Sequence, residues 1–158
     1  MHRRAGWCSL PPLTAPVTRD RITALSLAAI AVPERPVILG LGIDIVDIGE
    51  FRAGLTEALK REVFLPDEMA YAESRARPWE SYAVRFAAKE AAMKALGAGL
   101  AQAISWKDVE LVRLESGELE LLLHGRARAR AEEKGVSSSR VSVSHSRASA
   151  AAVVVLEG

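Results

Sequence analysis

The apolar positions between residues 37 and 158 follow two periodicities, one of two residues and one of about 3.6 residues. Apolar residues three or four apart predict helices, whereas alternating or short unbroken apolar runs predict strands. The chain is expected to begin with a buried strand and to continue through these elements: strand 37–47, helices 48 to about 62, 66 to about 75 and 79–96, strands 106–114 and 119–124, helix 126–134, and strands 140–146 and 150–156. This order predicts an α+β domain, with helices packed on one face of a largely antiparallel sheet.

Glycines and prolines indicate where these elements begin, end or approach another group closely. Gly40 and Gly42 lie inside the first strand, which indicates close approach of another backbone or a ligand. Pro66 suits the first turn of a helix, and Gly97 is placed to cap the helix before it. Residues 116–117, Ser-Gly, predict a hairpin turn between two strands.

The composition changes near residue 36. Residues 1–36 contain five of the seven prolines, the only cysteine, and five arginines against two acids. The apolar run 22–32 is too short for a membrane span, which needs about 20 residues. Its flanking arginines weakly resemble a signal peptide or a transit peptide. We expect residues 1–36 to be a disordered extension, or the product of a start site placed too far upstream, and residues 37–158 to form one domain.

Composition and charge exclude several classes of protein. The 158 residues are 49% hydrophobic and 26% charged, as in a globular domain, and the net charge of +1 predicts no nucleic-acid partner. Cys8 is the only cysteine, so an intrachain disulfide and a cysteine-built zinc site are excluded. The chain contains no phosphate-binding loop of the Walker or Gly-x-Gly-x-x-Gly type. We expect a cytoplasmic protein that does not bind membranes.

The third predicted helix carries charges among alanines instead of on a separate polar face. Glu90 and Lys94 are four residues apart, and Arg85 and Lys89 form a second row about 100° around the helix. One interpretation is a set of ordinary surface ion pairs. The other is a site for magnesium and phosphate, because magnesium takes one or two carboxylates together with phosphate oxygens.

Two further positions offer polar side chains near predicted strands. Asp44 follows a run of glycine and aliphatic residues, and a buried carboxylate is costly unless it is paired or binds a metal. It could instead cap the next helix, a role that suits Asp47 better. Ser144 and His145 end a predicted strand and could donate to phosphate oxygens. A hydrogen-bonded histidine at the end of a strand is the alternative.

Three sequence blocks together resemble a known family. Residues 42–47 (GIDIVD), 85–97 (RFAAKEAAMKALG) and 141–146 (VSVSHS) resemble the holo-[acyl-carrier-protein] synthases, the short bacterial type of 4′-phosphopantetheinyl transferase. Residues 64–68 and 105–110 are also similar to segments of that family. The resemblance covers residues 37–158 and implies the family's α+β fold. It also implies transfer of phosphopantetheine from coenzyme A to a serine of acyl carrier protein, for fatty acid biosynthesis.

The resemblance also implies roles for particular residues. Asp44 and Glu90 match the magnesium ligands, and Lys94 matches a lysine beside the pyrophosphate of coenzyme A. Either Glu90 or a metal-bound water is implied as the base. The remaining residues are implied to bind coenzyme A, mostly through the phosphates of its nucleotide half: Arg85, Lys89, Gly97, Ser144 and His145. A homotrimer with active sites at subunit contacts is implied as well.

The chain departs from the family pattern at three positions. Glu50 occupies a position where an arginine of the first helix often contacts the carrier protein, and Arg52 lies about 200° away around that helix. Ala98 and Leu119 replace a threonine and a proline. Two other functions therefore stay open: a non-catalytic relative that binds coenzyme A or the carrier, and a metal-dependent phosphohydrolase.

Overall fold

One long helix lies across a three-stranded sheet, beside a separate two-stranded hairpin. The structure, a computed structural model, describes residues 37–158, so the predictions for residues 1–36, including those on Cys8, lie outside the described part. The elements in chain order are β1 (Ile38–Asp47), α1 (Ile48–Gly54), α2 (Glu57–Val63), α3 (Pro66–Glu73), α4 (Pro78–Leu96), β2 (Val109–Arg113), β3 (Leu119–Leu123), α5 (Gly125–Glu133), β4 (Ser138–His145) and β5 (Ser149–Glu157). The predicted α+β class is confirmed.

All strand pairs are antiparallel, but they form two sheets instead of one. The larger sheet has the order β1-β5-β4, and β2 pairs with β3 in a hairpin. In the larger sheet Asp44 of β1 lies opposite Ala152 of β5. The hydroxyl of Ser139 on β4 contacts the carbonyl of Leu121 on β3 at 3.5 Å.

The predicted helix over 48–62 is two helices. Thr56 is the N-cap of α2, and its hydroxyl accepts a hydrogen bond from the backbone N–H of Leu59 at 3.2 Å. A threonine side chain that bonds the backbone in this way favours a helix start over a helix interior. The apolar periodicity continues through the break, which is why the pattern alone did not indicate it.

Direct backbone contact sets the distance between α4 and β1. A Cβ atom built on Gly40 would overlap the carbonyl oxygen of Ala95, and one on Gly42 would overlap that of Ala91. The prediction of close approach at the two glycines is therefore confirmed, and the approaching group is a helix backbone. Ala91 and Ala95 are one turn apart and fully or nearly fully buried. At these four positions neither element carries a side chain longer than a methyl group, so the helix backbone rests on the strand backbone.

The C-terminal end of α4 is capped by glycine and by a lysine from α5. Gly97 has φ +65°, and its N–H donates to the carbonyl of Lys94 at 3.1 Å, which confirms the predicted C-cap. The ammonium of Lys134 donates to the carbonyls of Ala95 and Leu96 at 3.2 and 3.3 Å. These carbonyls have no partner within the helix, so the lysine satisfies them and offsets the negative end of the helix dipole.

The face of β1 turned away from α4 is apolar and exposed. Leu41, Ile43 and Ile45 retain 64%, 57% and 67% of their accessible surface, although the sequence predicted a strand that begins buried on both faces. Val153 and Val155 of β5 lie beside them, opposite Ile43 and Leu41. We call the face formed by these five residues the outer sheet face. The burial prediction fails for a single chain because no helix within residues 37–158 covers this side. Contiguous exposed apolar residues of this kind mark interaction surfaces.

Among residues 37–158, no helix combines the length and apolar character that crossing a membrane requires.

Candidate active site

Asp44, Glu90 and Lys94 come together where α4 crosses β1. Lys94 lies in the last turn of α4, and its ammonium forms an ion pair with Asp44 Oδ1 at 2.7 Å. It also donates to the carbonyl of Ile43 at 3.2 Å. The side chain of Asp44 is 15% exposed, so the carboxylate is largely removed from water. Asp47 is instead the N-cap of α1, accepting from the N–H of Glu50 at 2.9 Å, as predicted.

Glu90 lies within electrostatic range of both of these residues. Partial burial raises the pKa of its carboxyl, and repulsion from the Asp44 carboxylate raises it further, while Lys94 acts in the opposite direction. Two carboxylates that share one ammonium form a locally anionic site that favours a bound cation. The arrangement therefore agrees with the interpretation of this helix as a metal and phosphate site.

A cleft of about 390 Å³ opens beside Glu90 and Lys94. It continues along the end of α4 and the segment that follows, and it is lined by Glu90, Met93, Lys94, Gly97, Ala98, Gly99, Leu100 and Gln102. Gly97, which was predicted to contact coenzyme A, thus lies in the same cleft as the two predicted catalytic residues. We call this the Glu90–Lys94 cleft.

Arg85 and His145 line a second cleft of about 430 Å³. Arg85 is 4% exposed, its Nη1 donates to the hydroxyl of Ser81 at 2.6 Å, and its guanidinium lies 4.3 Å from the centre of the Tyr71 ring. Burial lowers the pKa of Arg85, but an arginine stays charged at neutral pH. Its Nε has no hydrogen-bond partner among the described residues. We call this the Arg85–His145 cleft.

Three more arginines surround that cleft, and sequence reasoning did not single them out. Arg75 and Arg77 come from the connection between α3 and α4, and Arg113 from the end of β2. Glu80 is the only acidic residue in the lining. The sequence signal for the first two is a pair of arginines around the interval 76–78, between two predicted helices. Such a cationic cleft suits an anionic ligand.

Lys89 lies in neither cleft. It is fully buried, its ammonium forms an ion pair with Glu68 at 2.8 Å, and it donates to the carbonyls of Trp106 and Val109. Burial lowers its pKa, and the Glu68 carboxylate partly offsets the effect. The structure therefore places Lys89 in a core ion pair, away from the ligand position implied by the family resemblance. The sequence signal was a lysine at a position where the helix is otherwise alanine.

Glu68, the partner of Lys89, is a further residue that the sequence did not identify. It is 2% exposed and accepts from the backbone N–H of Leu65 at 3.0 Å and of Leu111 at 3.2 Å, besides Lys89. In the sequence it belongs only to the segment 64–68, which is similar to the family. In the structure it connects α3, α4 and β2, so it supports the helix that carries the site.

Ser144 and His145 lie on opposite faces of β4. Ser144 pairs with Ala151, on the side of the outer sheet face, whereas His145 lines the Arg85–His145 cleft. Within one chain the structure does not bring them together. Neighbouring residues of a strand point to opposite faces, which the sequence alone could have indicated.

The carboxylates of Asp44 and Glu90 fit a magnesium ion by their donor chemistry. They are hard oxygen ligands, and magnesium is usually held by one or two carboxylates, with water and substrate phosphates completing its shell. Within residues 37–158, no cluster of three or more His, Cys, Asp or Glu side chains forms a metal cage. The site therefore suits a cation that shares its ligands with a substrate.

Comparison with known proteins identifies the class to which this α+β domain belongs. The family model of the 4′-phosphopantetheinyl transferase superfamily matches residues 40–154. The chain therefore belongs to this superfamily.

Within the superfamily the chain belongs to the holo-[acyl-carrier-protein] synthases. It is 47% identical over 122 residues to the holo-[acyl-carrier-protein] synthase of Moorella thermoacetica, a match that covers 76% of this chain and 94% of the relative. The crystal structure of the Neisseria meningitidis synthase superposes with a TM-score of 0.69 at 30% identity, covering 77% of this chain and all of that one. The Bacillus anthracis synthase, solved in complex with CoA (3′,5′-ADP), gives a TM-score of 0.64 at 31% identity, covering 76% and 96%.

Proposed function

We propose that this protein transfers 4′-phosphopantetheine from coenzyme A to a serine of acyl carrier protein, in a magnesium-dependent reaction. The family supplies the reaction, and one observation carries its assignment to particular residues. Asp44 and Lys94 form an ion pair beside Glu90, at one end of a cleft that continues past Gly97. We further propose the cytoplasm and fatty acid biosynthesis as the setting.

In the proposed reaction the serine oxygen attacks the phosphorus that bears the pantetheine group. A new P–O bond forms, the bond to the other phosphate of the pyrophosphate breaks, and adenosine 3′,5′-bisphosphate leaves. Lys94 stabilises the charge that develops on the leaving phosphate, because its exposed ammonium faces the cleft. Either Glu90 or a metal-bound water accepts the serine proton; the raised pKa of Glu90 favours this role while its carboxylate is not bound to a cation.

Asp44 and Glu90 would hold the magnesium ion. When bound, such an ion supplies a Lewis acid that neutralises charge on the phosphate oxygens. The chain's own contribution is to hold the two carboxylates near each other at the crossing of α4 and β1, where backbone contact fixes the spacing.

The Arg85–His145 cleft is the proposed site for phosphates of the nucleotide half. Its guanidinium groups can bind phosphate oxygens in pairs, and the unpartnered Nε of Arg85 adds a buried donor. Ser144 remains a proposed contact from the opposite face of β4. For Lys89 the proposal changes: its role is to hold α4 in place through Glu68.

We propose a homotrimer in which the outer sheet face forms the contact. Five exposed or half-buried aliphatic residues on one sheet face favour association, since burying such surface is the main driving force for it. The two clefts share no lining residue. In an oligomer, the Glu90–Lys94 cleft of one copy can meet the Arg85–His145 cleft of another copy. One ligand can then contact the residues of both clefts.

The test is a mass measurement on the acceptor. The purified protein is incubated with apo-acyl carrier protein, coenzyme A and magnesium chloride, and the carrier is examined by mass spectrometry. The expected result is a gain of one phosphopantetheine per carrier, lost when magnesium is chelated. An unchanged carrier that nevertheless binds would indicate a non-catalytic relative, and hydrolysis of coenzyme A without transfer would indicate a phosphohydrolase.

A further inference from the structure

The Arg-bearing face of α5 lines a cleft that neighbours the Glu90–Lys94 cleft. Arg126, Arg130 and Lys134 are spaced four residues apart, so they share one face of α5 and its C-terminal end. The ammonium of Lys134 donates hydrogen bonds to the carbonyls at the end of α4. The other two line a third cleft, of about 310 Å³, between α5 and residues 97–104.

This third cleft continues the Glu90–Lys94 cleft along a common wall. Gly97, Ala98 and Gln102 line both, so the segment after α4 separates the proposed reaction site from the arginines. A protein whose serine reaches Glu90 and Lys94 must pass the rim of that cleft. The same protein can therefore cover the segment and contact α5.

The two arginines are open to a further partner. Arg126 is exposed and forms no ion pair among the described residues. Arg130 pairs at 3.2 Å with Glu133, which lines the same cleft, and its side chain is still 42% exposed. Because the two guanidinium groups come from positions one turn apart, they suit two carboxylates on a facing protein surface.

Helix α1 does not offer an equivalent cationic surface. Glu50 is exposed in its first turn and would repel an acidic partner. The guanidinium of Arg52 lies over the Trp79 ring, 4.0 Å from its centre, where its position is fixed by the indole. Charge complementarity therefore favours α5 over α1 as the docking element.

We infer that acidic residues of the acceptor protein dock on α5 through Arg126 and Arg130, while its serine enters the Glu90–Lys94 cleft. This inference rests on the proposed function, because the acceptor is the protein that receives phosphopantetheine. Charges at the rim of an interface act mainly on association rate and its salt dependence. The two arginines should therefore affect the apparent affinity for the acceptor and leave the chemical step unchanged.

The test compares the double variant Arg126→Glu/Arg130→Glu with Arg128→Glu as matched control. Arg128 is on the same helix, is 72% exposed, and pairs with Glu132 away from the cleft. We expect the double variant to raise KM for apo-acyl carrier protein roughly tenfold, with kcat and KM for coenzyme A nearly unchanged. The control should stay close to wild type, and salt should raise KM of the wild type more than that of the double variant.

Two outcomes overturn the inference. One is an equal effect of Arg128→Glu, and the other is an increase in KM for coenzyme A in place of the acceptor. If the double variant unfolds, Arg126→Gln/Arg130→Gln removes the charges without reversing them. If wild type binds the carrier calorimetrically but transfers nothing, the proposed function fails. The binding comparison between the variants still decides the inference.

Discussion

The buried ion pair between Lys89 and Glu68 is the residue-scale contact that holds α4 against the hairpin. Both side chains are almost fully inaccessible, and each makes two further hydrogen bonds to backbone groups. Removing one partner of such a pair leaves an uncompensated charge in a medium of low polarity. The pair therefore matters more for stability than an exposed ion pair of the same length.

We expect Lys89→Met to lower the free energy of unfolding by about 3–5 kcal/mol, because Glu68 would stay buried without its cation. The measurement is urea denaturation monitored by circular dichroism. The double variant Glu68→Gln/Lys89→Met should lose less than the sum of the two single variants, since both charges are then absent. A stable Lys89→Met protein with a selectively weakened affinity for coenzyme A would restore the phosphate-binding role implied by the family resemblance.

We expect Glu90→Gln to keep the fold and to lose about a hundredfold or more in kcat, because the amide is neither a good proton acceptor nor a good magnesium ligand. Steady-state kinetics of transfer to apo-acyl carrier protein measure this. Glu115→Gln, in the exposed hairpin turn, is the control and should behave as wild type. Wild-type turnover in the Glu90 variant would remove this residue from the reaction.

The grouping of Asp44 with Glu90 and Lys94 could be predicted from sequence, and the burial of Lys89 could not. Asp44 stood out as a carboxylate in an apolar strand, and Glu90 with Lys94 formed an i,i+4 pair. Lys89 was misplaced because its partner, Glu68, is 21 residues earlier and meets it only through tertiary packing. Periodicity shows the face of a helix but not which face is covered by another element.

At the scale of elements, the contact between α4 and β1 determines how the active site is held. The strand contributes Gly40 and Gly42, and the helix contributes Ala91 and Ala95. Lys134 and Gly97 then end the helix beside the cleft. The glycines and alanines have no large side chain, and Lys134 donates hydrogen bonds to backbone carbonyls. Contact between the two main chains therefore positions Asp44 against α4.

We expect Gly42→Ala to destabilise the protein by about 2 kcal/mol or more, because the new methyl group would overlap the carbonyl of Ala91. Thermal unfolding provides the measurement. The control is Gly54→Ala at the end of α1, where nothing lies within 4 Å of the added Cβ, and its effect should stay within about 1 kcal/mol. Equal stability of the two variants would show that α4 and β1 are not in backbone contact.

The helices and strands were predicted well where one periodicity ran between clear breaks. Helix α4 begins at Pro78 and ends before Gly97, and both residues signalled these ends. The break at Thr56 was missed, because a threonine cap differs from a helical threonine only in a local hydrogen bond. The separation of the hairpin from the larger sheet could not be predicted either, since strand order does not determine which strands share a ladder.

At the scale of the whole molecule, the outer sheet face and the two separate clefts favour an assembly. The sequence predicted a first strand that opens buried on both faces and then alternates, and a single chain buries only one face of it. Association of copies through this face would bury the second side. The prediction from sequence would then be correct for the oligomer, although it is wrong for the isolated chain.

We expect Ile43→Lys to convert the proposed trimer into monomers, because a charge would replace a 57% exposed aliphatic side chain at the centre of the contact. Size-exclusion chromatography with light scattering measures the mass in solution. Leu114→Lys is the matched control: Leu114 is 40% exposed in the β-hairpin, away from this face. Activity should fall with the trimer, and a fully active monomer would show that one chain contains the complete site.

The glycine contact between β1 and α4 has a further consequence for how stability and catalysis respond to change. The spacing of Asp44 and Lys94 depends on two main chains that touch, not on the volume of the core side chains around them. A substitution such as Leu121→Val in the hairpin should therefore make the protein melt earlier while its turnover below that temperature stays the same. Outside this line of contact, a substitution could then change the thermal stability of the protein without changing its catalytic rate.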